Sequence, residues 1–323
     1  MELPDPTPRD DEVLIAVHAC GVCHTELDEI EGRTPPPRLP MILGHQVVGR
    51  IVALGNRVTD WSVGDRLGVA WIFSACGKCT HCASGQENLC PDFQATGRDQ
   101  FGGYAELMIA RASFAHPIPD ALSDIDAAPL LCAGAIGYRA LRLTNLVDGQ
   151  TLGLTGFGAS GHLVLKMVRH RMPKTNVYVF ARSERERTFA LELGAAWAGD
   201  MQDSAPTALD AIIDTTPAWL PIIKALENLT PGGRLVINAI RKEPDDQAEL
   251  RRLDYPRHIW LEKEIKSVAN ITRQDVREFL KLAAEASLTP LTRIFPLGDA
   301  NQALIELKTQ SVPGAKVLMV SPT

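Results

Sequence analysis

Short apolar runs alternate with glycine and proline turns from Glu12 to about Ala110. This punctuation is typical of an antiparallel β domain and not of helices. The runs predicted as strands are 13–17, 47–54, 66–71 and 104–110.

A helical period begins at Ser123, a residue suited to a helix N-cap, and continues through residues 140–143. Strands then alternate with helices, and Ser183 with Glu186 forms a capping-box pattern. The predicted strands are 152–155, 177–181, 195–198, 210–214, 234–239 and 264–269, and the predicted helices are 161–171 and 184–193. Six parallel strands joined by crossover helices make a doubly wound sheet.

After a long helix capped by Thr272 the pattern changes again, to a strand at 291–296, a helix at 299–308 and a strand at 315–320. With 323 residues, the chain is long enough for two domains with full cores. We therefore predict an α/β protein with a β-rich domain and a doubly wound domain.

Composition and charge restrict the class of protein. The chain is 45% hydrophobic and 22% charged, as in soluble globular proteins. Its net charge of −6 and its lack of a long basic run argue against nucleic acid as a partner. No apolar stretch approaches the roughly 20 residues that span a bilayer, and the N-terminus has no basic-then-apolar signal, so we expect no membrane partner. We expect a cytoplasmic location, because the chain has seven cysteines and reduced thiols that bind metal would suit that compartment.

Four cysteines, Cys76, Cys79, Cys82 and Cys90, crowd into fifteen residues of a polar loop. Thiols at such short spacings can converge on one tetrahedral ion, so the pattern predicts a structural zinc site. The alternatives are ordinary buried thiols or a disulfide pair. His81 could replace a thiol, but four cysteines already complete a tetrahedron, and we expect this histidine to be solvated.

The remaining cysteines are Cys20, Cys23 and Cys132, and a Gly44-His45 pair follows a proline-rich loop. Together with the cysteine-rich loop, these motifs make the sequence similar to the zinc-dependent medium-chain alcohol dehydrogenases. The similarity runs from about Leu3 to the C-terminus, and the motifs occur in the family's order. They are 12–25, 44–45, 64–66, the four-cysteine loop, 102–106 and 131–134.

The resemblance implies a GroES-like β-barrel catalytic domain and a Rossmann dinucleotide-binding domain. The catalytic domain would comprise residues 1–132 and 271–323, and the Rossmann domain 133–270. Family members usually have another strand or two before Glu12, so the edge of the first sheet is expected to be open or covered by a partner. A homo-oligomer, either a dimer or a tetramer, is the expected assembly.

The resemblance also assigns a catalytic zinc to Cys23, His45 and Cys132, with the fourth coordination position open for an alcohol or carbonyl oxygen. Zinc in such a site acts as a Lewis acid while hydride passes between the substrate carbon and the nicotinamide. Taken alone, Cys132 would more often be a small core residue, and His45 would be a turn histidine.

Further site residues follow from the same resemblance. Thr25 would contact the substrate oxygen and pass on its proton, and Glu26 would orient the imidazole that binds zinc. His24 would approach the cofactor pyrophosphate. Trp71 would either narrow the substrate pocket or belong to the barrel core.

Three positions depart from the common family pattern. Gln46 stands where many members have Glu, which should leave the zinc slightly more electrophilic. Asp28 replaces a relay histidine, so the outward proton path is expected to use a carboxylate or water. Ile136 replaces a threonine common near the nicotinamide. These departures affect the expected substrate and rate more than the metal or cofactor.

A glycine motif, G-x-G-x-x-G, occurs at Gly156, Gly158 and Gly161, directly after a predicted strand and before a helix. In that context it predicts a pyrophosphate bound at the helix N-terminus, and the alternative is a plain glycine-rich turn.

The end of the next strand indicates which nucleotide is preferred, because NAD-dependent enzymes place an acid there. Ala181 stands at the acid position and is followed by Arg182 and Ser183. With no carboxylate to repel a 2′-phosphate, the sequence favours NADP(H) over NAD(H), unless Arg182 is only a solvated surface charge.

Three functions remain open. The leading one is a zinc-dependent oxidoreductase that transfers hydride between a nicotinamide cofactor and a small alcohol, aldehyde or ketone, with two zinc ions per chain. The second is a quinone or enone reductase of the same superfamily, which needs no catalytic zinc. The third is a non-catalytic zinc and nucleotide protein that senses redox state.

Overall fold

The computed structural model describes residues 2–309 and 314–320, and the chain forms two compact units. The first unit comprises Met1–Ala135 and Asn270–Thr323, and the second comprises Ile136–Ala269. These borders lie close to 132 and 271, so we propose that the units are the two domains expected from the sequence. No helix within the described ranges is long and apolar enough to cross a membrane.

The first unit is built on a mixed sheet with seven strands among the described residues. The order is β14-β15-β1-β2-β3-β7, with β6 also paired to β1, and all pairs are antiparallel except β14 with β15. A two-stranded sheet, β4-β5, accompanies it. The strands of this unit are β1 (Glu12–Val22), β2 (Val47–Leu54), β3 (Arg66–Val69), β4 (Ile72–Ser74), β5 (Gln94–Ala95), β6 (Leu107–Arg111), β7 (Ala115–Pro117), β14 (Thr292–Pro296) and β15 (Ala315–Met319). The prediction of an antiparallel β domain is confirmed for the main part of this sheet.

Strand β1 extends through Val22, five residues beyond the predicted end at residue 17. Its first half pairs with β6 and its second half with β15, while β2 runs along both halves. Hydrogen bonds to these neighbouring strands satisfy the backbone N–H and C=O groups of β1 beyond residue 17, where the sequence shows no clear alternation of hydrophobic and polar residues. Val13, Ile15 and Val17 are at most 1% exposed and form the core under the sheet.

The helices of the first unit are short, apart from two near the C-terminus. They are α1 (His24–Ile30), α2 (Thr80–Ala83), α3 (Asp124–Pro129), α8 (Arg273–Glu285) and α9 (Ala300–Thr309). The helical period predicted from Ser123 is confirmed: Ser123 caps α3, and helical structure continues through a π-helical turn, Leu130–Gly134, into α4 (Ala135–Thr144). The π-helical turn itself was not predicted. Proline has no N–H to donate, and Pro129 stands where the regular helix gives way to this wider turn.

The second unit contains six parallel strands in the order β10-β9-β8-β11-β12-β13, again counting described residues. The doubly wound prediction is therefore confirmed. The strands are β8 (Thr151–Thr155), β9 (Asn176–Phe180), β10 (Trp197–Gly199), β11 (Leu209–Asp214), β12 (Leu229–Ile237) and β13 (Glu264–Ser267), and the helices are α4, α5 (Ala159–Arg171), α6 (Glu184–Glu192) and α7 (Leu220–Asn228). The strand order reverses between β8 and β11, where folds of this type bind ligands at the carboxyl ends of the strands.

The predicted helix caps are present in both units. Ser183 and Glu186 form the capping box of α6, and Thr272 with Asp275 forms that of α8. Such caps depend on residues three positions apart, which explains why local sequence predicts them correctly.

Candidate active site and metal centres

Cys23 is held by the start of α1, immediately after the long strand β1. Its backbone N–H donates to Glu26 Oε2 at 2.8 Å, and its Sγ accepts from the Thr25 N–H at 3.4 Å. The Thr25 hydroxyl oxygen lies 3.3 Å from the same sulfur. The capping geometry therefore fixes one thiol and places a hydroxyl beside it.

His45 follows Gly44, whose φ of +96° is in the left-handed region. The loop before it is pinned by backbone bonds from Gly102 to Ile42 and from Gly103 to Gly44, at 2.8 and 2.9 Å. A Cβ on Gly102 would lie 2.1 Å from the Gly44 oxygen. These glycines permit the close approach of the two segments that positions His45. The strand predicted at 104–110 is wrong at its start, because β6 begins at Leu107.

Two side chains hold the imidazole of His45. Its Nδ1 lies 2.6 Å from Glu26 Oε1, at ion-pair distance. The Trp71 ring meets the imidazole edge-on at a centroid distance of 5.0 Å. Burial lowers the pKa of His45, but the Glu26 charge and contacts with Cys23 and Glu26 outweigh burial and raise that pKa. Nε2 is buried without a hydrogen-bond partner in the described part of the chain, so it is available to a metal.

Cys132 completes this group from the π-helical turn. The ligand atoms of Cys23, His45 and Cys132 all lie within 4.8 Å of one another. A hydrogen bond with Cys132, together with burial, raises the pKa of Cys23. Two sulfurs this close cannot both be negative without a cation, so the donor set fits a zinc ion with an open fourth position.

The four cysteines of the polar loop also converge, with their sulfurs within 4.8 Å of one another. Backbone N–H groups of Lys78 and Cys79 lower the pKa of Cys76 to about 6, whereas desolvation raises that of Cys82 to about 12. Four thiolates at these distances would repel one another, and a divalent cation would relieve that repulsion. His81 is exposed, as predicted.

A contact between two residues that are far apart in sequence anchors this cysteine-rich loop. Glu87 Oε1 accepts hydrogen bonds from Arg273 N and Nε, both at 3.0 Å, across 186 residues of sequence. The Arg273 guanidinium lies 4.4 Å from the centre of the Phe114 ring. No local pattern could have indicated this pairing.

Four other site residues predicted in the first unit, Gln46, Asp28, His24 and Trp71, differ in burial and contacts. Gln46 is buried against Gly21, whose missing Cβ makes room for it. Asp28 is 1% exposed and its Oδ1 lies 2.7 Å from Arg33, so its role in proton transfer stays a prediction. His24 is exposed, and Trp71 packs in a small core cluster while contacting His45.

The three glycines of the turn between β8 and α5 differ in how closely other atoms approach them. A Cβ on Gly156, whose φ is +83°, would lie 2.6 Å from Thr215 Oγ1, and one on Gly161 would lie 2.8 Å from the Gly156 oxygen. A Cβ on Gly158 would meet nothing within 4 Å. Two glycines therefore allow close packing, and the third leaves open space at the start of α5, as a phosphate cradle requires.

Comparisons with known proteins decide the family. Residues 9–120 match the alcohol dehydrogenase GroES-like domain. The chain is 42% identical to the probable alcohol dehydrogenase AdhA of Mycobacterium tuberculosis (strain CDC 1551 / Oshkosh), over 98% of this chain and 90% of that protein. It belongs to the zinc-dependent medium-chain alcohol dehydrogenase family. An alcohol dehydrogenase of Geobacillus stearothermophilus is 33% identical, with 96% and 92% covered.

Solved structures agree with this assignment. A cinnamyl alcohol dehydrogenase from Sorghum bicolor superposes with a TM-score of 0.88 at 28% identity, covering 98% of this chain and 92% of that chain. The chain is accordingly an enzyme, an oxidoreductase that uses a nicotinamide cofactor.

In this enzyme, the turn after β9 is stabilised by a side chain that the sequence did not indicate. Ala181 is buried, Arg182 is exposed and Ser183 caps α6. Arg187 Nη1 donates to the Ala181 and Arg182 carbonyls at 2.8 and 3.0 Å. The sequence signal that could have indicated this contact is the position of Arg187, one helical turn after the N-cap Ser183.

Glu29 is a second residue of the enzyme that sequence analysis missed. It is 3% exposed, and neither carboxylate oxygen has a hydrogen-bond partner among the described residues. Burial, followed by the charge of Glu26, raises the pKa of Glu29 to about 8. Its spacing of three from Glu26 on α1 was a usable signal, because such residues share a helix face.

Proposed function

We propose that the enzyme binds two zinc ions and uses NADP(H) to interconvert small alcohols with aldehydes or ketones. The convergence of Cys23, His45 and Cys132 carries this proposal, because two thiols and an imidazole with a buried, unpartnered Nε2 form an open ligand set. The four-cysteine loop supports a second, structural zinc. Zinc in the open site would supply Lewis-acid polarisation of the substrate oxygen.

The protein side chains would orient the metal ligands and move the proton. Glu26 bonds the Cys23 N–H through Oε2 and faces the His45 Nδ1 through Oε1, so one carboxylate positions two ligands. With the imidazole proton on Nδ1, Nε2 remains free to bind metal. The Thr25 hydroxyl, beside the Cys23 sulfur, can accept the alcohol proton and pass it outward.

We propose NADP(H) as the preferred cofactor because no carboxylate stands at Ala181 and an exposed Arg182 follows it. Arg187 supports the proposal by bonding both carbonyls of this turn, which keeps the Arg182 backbone in place. Similar folds occur with either nucleotide: a Helicobacter pylori enzyme was solved with NADP(H) and a Geotrichum candidum reductase with NAD. Because such folds occur with both nucleotides, the fold does not decide the cofactor preference, and the proposal rests on Ala181 and Arg182.

Changing Ala181 to Asp is expected to reverse the cofactor preference. The new carboxylate would accept from a ribose diol and repel a 2′-phosphate, while Arg182 pairs with that phosphate in the parent. One charge-assisted hydrogen bond of about 1.5–3 kcal/mol corresponds to a preference of roughly tenfold or more. Steady-state kcat/KM with NADPH and NADH measures the change.

A matched pair of arginine variants serves as the control. Arg182→Gln should weaken NADPH use selectively, whereas Arg185→Gln, an exposed arginine three residues further along, should leave the preference unchanged. A parent enzyme that prefers NADH would show that Arg182 points into solvent.

Metal analysis with a substrate screen tests the whole proposal. Chelator-free protein should contain two zinc ions per chain and reduce short aldehydes with NADPH. The quinone-reductase alternative predicts a single zinc and activity on enones instead. One zinc or fewer, with no aldehyde reduction, would count against the assignment.

We also propose a cytoplasmic location and a homo-oligomer. All seven cysteines lie in the described part of the chain and none of them forms a disulfide, a state that suits a reducing compartment. Among the described residues, strand β13 pairs with β12 alone and all four residues of β13 are exposed, which leaves a sheet edge for a second copy.

A further inference from the structure

Lys242 joins the loop that follows β12 to the loop that follows β11. Its Nζ donates to Asp214 Oδ2 at 2.5 Å, to the Thr216 carbonyl at 2.7 Å and to the Ala218 carbonyl at 2.9 Å. A lysine ammonium has three donors, and all three are used here. Asp214 is fully buried and Lys242 is 8% exposed at its side chain, so this pair belongs to the interior of the unit.

Other bonds join the same two loops. The Glu243 N–H donates to the Pro217 carbonyl at 2.7 Å. The Asp246 carboxylate accepts from the Trp219 and Leu220 N–H groups at the start of α7, both at 2.8 Å through Oδ2. Residues 214–220 and 238–246 therefore form one connected structure, which we call the double loop.

The double loop lies where the second unit is expected to bind its ligand. Asp214 ends β11, the strand next to β8 at which the strand order reverses. Thr215 N–H donates to the Thr155 carbonyl at 2.8 Å, and Gly156 packs directly on Thr215. Lys242 thus fixes the segment against which the glycine turn rests.

We propose that Lys242 is a positioning residue for the nicotinamide half of the cofactor, acting through the double loop. This inference rests on the proposed nucleotide binding. The adenosine half is expected at the end of β9, beside Ala181, and a dinucleotide extends across the reversal point to the other half of the sheet. The nicotinamide half is then bound over the ends of β11 and β12, where the double loop forms the wall.

Lysine suits this position better than another cation. Its compact ammonium bonds three acceptors that converge from different residues, whereas the planar fork of a guanidinium is suited to bidentate partners such as a carboxylate. Burial raises the pKa of Asp214, and the Lys242 charge opposes that rise. Removal of Lys242 would leave the buried Asp214 carboxylate without a counter-charge, with the Thr216 hydroxyl still bonded to it at 2.8 Å, and would loosen the connection between the two loops.

The test compares NADPH with 2′,5′-ADP, which contains only the adenosine half, by fluorescence or calorimetric titration. In Lys242→Met, the Kd for NADPH should rise about tenfold and kcat should fall by tenfold or more, since small misplacements of reacting atoms are costly. The Kd for 2′,5′-ADP should change less than about twofold. A purely structural role would weaken both ligands equally.

Two further variants keep the test decisive. Lys242→Met combined with Asp214→Asn removes the unpaired buried charge, so it should recover stability without recovering NADPH affinity. Lys263 bonds two carbonyls, of Leu226 and Arg257, just before β13 at the opposite, amino end of the strands. Lys263→Met should leave both affinities unchanged.

The outcomes separate this inference from the proposed function. If the parent binds NADPH and Lys242→Met binds it equally well, or loses both ligands in parallel, the positioning role is overturned alone. If the parent binds neither NADPH nor 2′,5′-ADP, the proposed function is wrong and this inference with it.

Discussion

Replacing Cys132 with alanine is expected to abolish turnover while leaving NADPH binding nearly intact. The change removes one of three ligand atoms that lie within 4.8 Å of one another, and with it the Lewis acid. Several kcal/mol of transition-state stabilisation correspond to a loss of about a thousandfold or more in kcat. The glycine turn belongs to the second unit and is untouched. Steady-state kinetics, metal analysis and NADPH titration measure the three effects.

Cys20 provides the matched control. It is a fully buried free thiol on β1, outside both groups of converging ligands. Cys20→Ala should retain two zinc ions and most of the activity, with only a modest loss of stability from lost packing. If Cys132→Ala kept most of its reductase activity, the zinc mechanism would be wrong and the quinone-reductase alternative would be favoured.

Replacing Cys90 with serine is expected to release the structural zinc and to destabilise the first unit by more than about 4 kcal/mol, because binding of a structural metal is coupled to folding. Cys90 is 2% exposed, and its sulfur accepts the Cys76 N–H at 3.4 Å as well as facing the other thiols. Denaturant unfolding and elemental analysis would show the loss of stability together with one zinc per chain.

His81→Ala tests the same loop without touching a predicted ligand. Because the imidazole is exposed and four sulfurs complete the site, zinc content and stability should match the parent. Loss of zinc in this variant, or its retention in Cys90→Ser, would show that the histidine replaces a thiol as ligand.

Local signals explain what could be predicted in the second unit. Its strands and helices alternate with clear hydrophobic periods, and the capping box at Ser183 involves residues three positions apart. The predicted strands lie within a few residues of the observed ones, and β12 is the one that extends furthest, beginning at Leu229 where 234 was expected. Its extra residues carry no apolar pattern, so only the neighbouring strands define its start.

The first unit was harder to predict, because its elements are defined by partners far along the chain. The length of β1 depends on pairing with β6 and β15, and the loop before His45 depends on glycines almost sixty residues later. The π-helical turn around Cys132 has no period that distinguishes it from an ordinary helix. Tertiary packing decided each of these features.

Cysteine spacing and the G-x-G-x-x-G context are local and chemically specific, so the sequence alone predicted the metal ligands and the type of fold. The fold is confirmed, and the metal ligands stay a prediction. Tertiary structure decided which side chains orient and support those groups. Arg187 under the Arg182 turn and Lys242 across two loops act through distance and direction, which a one-dimensional pattern does not contain. Glu26 was expected beside His45 only through the family resemblance, and the structure places its Oε1 2.6 Å from the His45 Nδ1. Reactive residues can therefore be predicted by their type, and most of the residues that position them only by their contacts.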